Sequence, residues 1–464
     1  MLSNLPELLL AGTAALFLCA SIIAPGRSTD NAVFGLAMAI LLAVFGLVLA
    51  GWYSSKPDES GGRTLSVALF IQLTSLIAAI VTIFLIAGYA KTERFKSSGC
   101  AVVVLFCVLG CFLIVRQGHS LLLWIGVETI TVATLALIRE GTRTRDDGEQ
   151  FFRQFTMLAV TASSVFAVGF MLAGNNGDAV AGADLDVTNL GVLLIFMGLG
   201  FKFAAVPFHF WAGPHVRTIS GPRVLILCVF PPIGAFAAIS TLLPAFADTS
   251  SLTFTFVAFS ACCASILWGG LSIFLATSLK AVLAGFTTYS SGFVLAPLAL
   301  FNLQGFSTAV LSMSIFVLTV LGLFAVLLSM RREDIGTVEE IADLAGLSTH
   351  NPSGAFWLTS LLVCLASLPP TIGFFGRWDQ LIAFTSLEQL AFVVAATIGW
   401  MLMAFRVLIF IREIWTGGSF ARLSPPAKEL SIVWSLCGFL VLAGAFQSSR
   451  LAEVATRFAE AAYR

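Results

Sequence analysis

The sequence predicts an all-α polytopic membrane protein, and three observations carry that prediction. Of the 464 residues, 58% are hydrophobic and only 11% are charged, against about 25% charged in typical soluble domains. The mean hydropathy is +0.97. The apolar residues gather in runs near the ~20 that a helical span needs. They do not form the alternating segments of about ten that barrel strands would show.

Fourteen runs are candidate spans, near residues 7–25, 32–52, 65–90, 98–116, 119–138, 151–173, 187–212, 223–246, 251–275, 280–302, 306–330, 354–384, 388–414 and 428–449. The first lacks a basic leader, so it reads as a membrane helix rather than a cleaved signal peptide. Loops after odd-numbered helices hold fifteen Lys and Arg, among them Lys91, Arg94, Lys96, Arg139, Arg143 and Arg145. The opposite side holds six: Lys56, Arg63, Arg116, Arg450, Arg457 and Arg464. Basic residues favour the inner face, so both termini are expected on the outer side, with the acidic 6–7 loop (Asp178, Asp184, Asp186) outside as well.

Composition also excludes several function classes. The net charge is zero, so nothing points to nucleic acid. Four histidines without clustering argue against haem or zinc, and no cofactor or metal site is expected. The nine cysteines lie in or beside apolar runs without CxxC spacing and read as small apolar fillers. No GxGxxG follows a strand and no Walker-type lysine occurs.

Helix 7 carries the first chemical signal. It reads GVLLIFMGLGFKFAAVPFHFW and places Lys202 inside an apolar run, five residues before Pro207. A lipid-exposed cation at mid-bilayer costs roughly 2.5–3.5 kcal/mol. Lys202 is therefore expected to face a protein interior or a hydrated path, as a proton-handling site. Helix 12 carries Pro369 and Pro370 within CLASLPPTIGFFGRWDQ. Proline lacks its N–H and clashes with the carbonyl four residues back, so Pro207 frees the carbonyl of Phe203 and Pro370 that of Ala366. Unpaired backbone at membrane depth is tolerated only where it is buried in protein or lines water. Helices 7 and 12 are each fourth in consecutive sets of five, helices 4–8 and 9–13. Interrupted segments at matching places in two halves point to a transport pathway. The chain divides accordingly into an N-terminal three-helix segment (1–97), two five-helix repeats (98–250 and 251–415) and a C-terminal helix and tail (416–464).

Glu128 lies midway along helix 5, in LLLWIGVETITVATLALI. Pairing with Lys202 would reduce the burial cost of both charges. A pair that is made and broken could switch the lysine between holding and donating a proton; a static structural pair is the plainer alternative. Arg377 follows the helix-12 break and hardly ever loses its proton, so it suits electrostatic gating or a surface anchor rather than relay. His209 lies seven residues beyond Lys202, about two helical turns, and suits either proton hand-off or packing. Lys280 opens helix 10 in ATSLKAVLAGFTTYSSGF and reads most simply as an inner-side anchor. Arg406, deep in helix 13, needs a partner in the core. Helix 8 contains Pro231 and Pro232 in the charge-free LCVFPPIGAF.

These motifs resemble the antiporter-like membrane subunits of respiratory complex I (NADH:quinone oxidoreductase), most nearly the N type, within the proton-conducting membrane transporter superfamily. FKFAAVPFHFW resembles the family's helix-7 signature. EQFFRQFTMLAVTASS (149–164), SLKAVLAGFTTYSSGF (278–293), the 341–380 block ending PPTIGFFGRWDQ, and AFRV (404–407) extend the likeness across most of the chain. The resemblance implies fourteen helices, two inverted five-helix repeats, and proton movement coupled to quinone reduction elsewhere in a large complex. This chain would carry no redox centre itself. It matches Glu128 and Lys202 to the family's helix-5 glutamate and helix-7 lysine. It also marks departures. Pro231 stands where helix 8 usually has a lysine, Arg377 where helix 12 usually has a lysine, and Ser290 where a histidine is usual. The usual aspartate after the FHFW stretch is replaced around His215.

The expected function is a proton-translocating subunit with an altered path, in a bacterial inner membrane. Its partners would be other membrane subunits, protons and lipids. The alternatives are a cation/proton antiporter subunit, a membrane half of an ion-driven uptake complex, or a non-pumping structural subunit.

Overall fold

In lipid, every backbone polar group must find its partner within the protein, so a long apolar run becomes a helix. The computed structural model describes residues 5–23, 27–54, 66–92, 98–116, 120–142, 146–173, 185–242, 252–332, 336–337, 340–386, 389–416, 423–424 and 428–462. Every one of the fourteen expected runs carries a helix. They are α1 (Leu5–Ile23), α2 (Arg27–Ser54), α3 (Val67–Thr92), α4 (Ser98–Ile114), α5 (Ser120–Thr142), α6 (Asp146–Ala173) and α7 (Leu185–Gly200). Then follow α8 (Gly221–Leu242), α9 (Leu252–Leu275), α10 (Leu279–Leu298) and α11 (Leu303–Ser329). The twelfth run is split into α12a (Pro352–Leu365) and α12b (Ile372–Ser386), and α13 (Leu390–Thr416) and α14 (Lys428–Phe446) complete the set.

Nine described helices are long and apolar enough to span a bilayer. Of the others, α4, α7 and α12a are apolar but shorter, and α14 meets the requirement together with the helix after it. That last helix, α15 (Ser448–Ala462), turns 92° from α14 at Gln447. It lies in the stretch 416–464, expected as a C-terminal helix and tail. Among the described residues the sheet content is one patch of two-residue antiparallel strands, β1 (Arg331–Arg332), β2 (Gly336–Thr337) and β3 (Leu423–Ser424), in the order β2-β1-β3. Several loop charges behind the expected orientation, among them Lys56, Arg63, Arg94, Lys96, Arg143, Arg145, Asp178 and Asp184, lie outside the described residues.

Proximity divides the chain into two compact units. The first is Met1–Lys202 with Val229–Ser250 and Arg457–Arg464; the second is Phe203–Cys228 with Ser251–Thr456. The bounds 98–250 and 251–415 follow repetition rather than proximity, which is why the stretch 203–228 falls differently in the two schemes. In the first unit α4 packs along α5, α5 on α6 and α6 along α7. Facing glycines bring α4 and α5 close: a Cβ at Gly126 would sit 2.6 Å from the Gly110 carbonyl oxygen. Small residues at such crossings let membrane helices pack by backbone contact. In the second unit α9 packs on α10 and α13, and α11 on α10 and α14. Helices α8 and α10 are almost wholly buried.

Candidate functional site

Both expected breaks are present, and they share a backbone design. Helix α7 stops at Gly200, Ala204 adopts a left-handed conformation (φ 54°), and Val206–Pro207 is cis. Helix α12a stops at Leu365, Ser367 is left-handed (φ 53°), and Pro369–Pro370 is cis. In each break a non-glycine residue takes a conformation that L-residues rarely adopt, three positions before the cis proline. Two backbone groups of these breaks find protein partners. The Val206 N–H donates to Ser265 Oγ at 2.9 Å. The carbonyl of Ala366, which Pro370 leaves without a helical donor, accepts from the Trp400 indole at 2.7 Å.

Lys202 sits just past the end of α7, its N–H donating to the Leu199 carbonyl at 3.0 Å. Its side chain is buried, 6% exposed, and reaches α5. The amine donates to the Val127 carbonyl at 3.2 Å and to Thr131 Oγ1 at 2.5 Å. The Thr131 hydroxyl donates a hydrogen bond to the same Val127 carbonyl at 3.0 Å, so its oxygen is free to accept from the amine. The expected direct pairing of Lys202 with Glu128 does not occur: no ion pair joins them among the described residues. Helical geometry supplies the reason. Val127 and Thr131 share the face of α5 toward Lys202, whereas Glu128 is turned about 100° from Val127 and meets α6. There Glu128 Oε2 accepts from Ser163 Oγ at 3.1 Å, and Oε1 is buried without a hydrogen-bond partner.

In the second unit Arg377 is buried, 5% exposed, in the first turns of α12b. It does not reach a surface as an anchor would. Its guanidinium lies 3.8 Å from the Phe293 ring centroid and 5.8 Å from that of Tyr289, both on α10. Nη1 donates to Gln380 Oε1 at 3.4 Å. No carboxylate pairs with Arg377 among the described residues. The hydroxyls of Tyr289 and Ser290 are buried without hydrogen-bond partners, so the position of the family's histidine holds a small polar group facing protein.

The other predicted residues divide. Lys280 does open α10, behind the Ser278 cap, and its side chain is buried. His209 does not continue a helix from Lys202. The chain is irregular after Gly200, and His209 begins a 3-10 turn (His209–Ala212), so the two-turn spacing fails. Its ring packs on Phe210 and Trp268 at 4.5 and 4.8 Å. Arg406 finds the expected core partner, donating to the Ala276 carbonyl beyond the end of α9 at 2.6 Å. Pro231 and Pro232 lie inside α8, which remains helical through both. The side chain of His215 lies outside the described residues. Sequence reasoning missed Thr131, Ser163, Ser265, Gln380 and Trp400. For Trp400 a signal existed, because Pro370 demands a donor for Ala366; for Thr131 the signal was its place one turn after Val127.

Interrupted helices with left-handed and cis-proline breaks, and buried cations beside them, define a class of ion-translocating membrane protein. The profile described as NADH:quinone oxidoreductase/Mrp antiporter, TM, matches residues 118–403, and the chain belongs to that family. It is 29% identical to NADH-quinone oxidoreductase subunit N 1 of Rhizobium meliloti, over 95% of this chain and 93% of that protein. It is 31% identical to NADH-quinone oxidoreductase subunit N of Erythrobacter litoralis, over 85% and 83%. Among solved structures, it shares the fold of a chain of respiratory complex I from Thermus thermophilus (TM-score 0.78, 21% identity, 97% and 98% coverage). It also shares the fold of a chain of the Mrp complex from Dietzia (TM-score 0.77, 18% identity, 99% and 98% coverage).

Proposed function

We propose that this chain is a proton-translocating membrane subunit of an NADH-quinone oxidoreductase-type complex. In this reading it works beside other membrane subunits in a bacterial inner membrane, with both termini on the outer side. The observation that carries the reading is Lys202: a buried amine at a helix break, bonded to a hydroxyl and a carbonyl and, among the described residues, to no carboxylate. Among the described residues no carboxylate is bonded directly to this amine to hold its proton permanently. Lysine, unlike arginine, gives up its proton when its surroundings change. Glu128 stands next to Val127 on the same helix, hydrogen-bonded from one side only. A rotation of its side chain or a shift of α5 against α6 would alter the field at Lys202 without remaking the fold.

The test is proton uptake by proteoliposomes holding the assembled complex, driven by quinone reduction, with Lys202→Met as the variant. Loss of uptake with intact assembly and retained quinone reduction is the expected result. Uptake equal to that of the wild type would overturn the role of Lys202. A requirement for sodium in the medium would favour the cation/proton antiporter alternative.

A further inference from the structure

We infer that Gln380 is a positioning residue that locks the Arg377 guanidinium against α10, and that Pro297 creates the place where it is anchored. The inference deepens the proton-path reading and rests on it for its functional consequence. Gln380 is wholly buried. Its Nε2 donates to the Phe293 carbonyl at 2.6 Å, while its Oε1 accepts from Arg377 at 3.4 Å. The Phe293 carbonyl is available inside a helix for one reason: the residue four positions on is Pro297, which has no N–H to give it. A carbonyl freed in this way, in an apolar interior, is costly unless another donor reaches it. Gln380 is that donor.

The orientation of the amide follows from chemistry. A carbonyl only accepts and a guanidinium only donates, so Nε2 must face Phe293 and Oε1 must face Arg377. Arg377 is then held from two directions by a single residue of α10, through the ring of Phe293 at 3.8 Å and, by way of Gln380, through its backbone carbonyl. The clamp ties the half-helix after the second break to α10. The cation of this unit is fixed in place, whereas Lys202 carries its charge on a flexible stem.

The experiment uses the assembled complex and compares Gln380→Leu with the double variant Gln380→Leu/Pro297→Ala. Alanine at 297 restores a helical donor to the Phe293 carbonyl, so the double variant repairs the backbone but leaves Arg377 unclamped. A structure of the double variant reads the clamp independently of function; the guanidinium is expected to have left the Phe293 ring. Proton uptake per quinone reduced is expected to stay at least about tenfold below wild type, as for the loss of a hydrogen bond to a charge. Return of uptake to the wild-type value would reduce Gln380 to a structural role and overturn the inference, as would a guanidinium still seated on Phe293. Arg377→Leu separates the two layers: normal uptake there would remove Arg377 from the proton path, while the clamp itself would stand or fall on the structure alone.

Discussion

At the scale of single residues, two buried cations are handled in opposite ways. The Lys202 amine meets a hydroxyl and a carbonyl of α5, and the three donors of an ammonium can be redistributed as its neighbours move. Arg377 is stacked on Phe293 and bonded to Gln380, which suits a charge that never leaves. The Thr131 hydroxyl is the most direct support of Lys202. Thr131→Val keeps the shape of the side chain and removes that acceptor. Proton uptake should fall roughly tenfold, in line with 1.5–3 kcal/mol for a hydrogen bond to a charged group, and Thr131→Ser should preserve it. Equal activity of the two variants would count against the hydroxyl.

At the scale of elements, the breaks in helices 7 and 12 repeat one another down to single dihedral angles. Ala204 and Ser367 are left-handed, and Pro207 and Pro370 follow three residues later with cis bonds. The cations are not repeated in the same way: Lys202 precedes its cis proline and Arg377 follows its own. Superposing the prolines sets Leu365 opposite Lys202. The break is thus the shared design, and the cations stand at different places along it. The second break depends on α13, because Trp400 holds the freed Ala366 carbonyl. Trp400→Phe keeps the aromatic bulk and strands that carbonyl. It should destabilise the subunit by about 1–3 kcal/mol, visible as a lower melting temperature of the purified complex; an unchanged melting temperature would mean that another donor takes over.

At the scale of the whole molecule, most of the span count could be read in advance because it depends on run length alone. Apolar stretches of sufficient length leave the backbone no alternative to helix, and Pro207 and Pro370 marked the two breaks, although Pro231, Pro232 and Pro297 lie inside helices that continue through them. The same rule foretold that Ala366 would need a donor. Side-chain partnership was less legible. Glu128 and Lys202 are the obvious pair of opposite charges in the sequence, yet the rotation between Val127 and Glu128 on α5 sends the carboxylate to Ser163 instead. Gln380 closes the 341–380 block but carries no charge, and its value appears only when Pro297 and Arg377 are seen on either side of it. Helix α15 escaped because its four charges, Arg450, Glu453, Arg457 and Glu460, break the apolar run that marks a span.

The central claim is that Lys202 acts by releasing and regaining a proton rather than by its charge alone. Lys202→Arg tests it most directly, since arginine keeps the positive charge at the break but hardly ever deprotonates. Proton uptake should be measured in proteoliposomes of the assembled complex, per quinone reduced. The account predicts that Lys202→Arg loses uptake to the same extent as Lys202→Met. Uptake near the wild-type value in Lys202→Arg would contradict it, and would make Lys202 a fixed charge like Arg377.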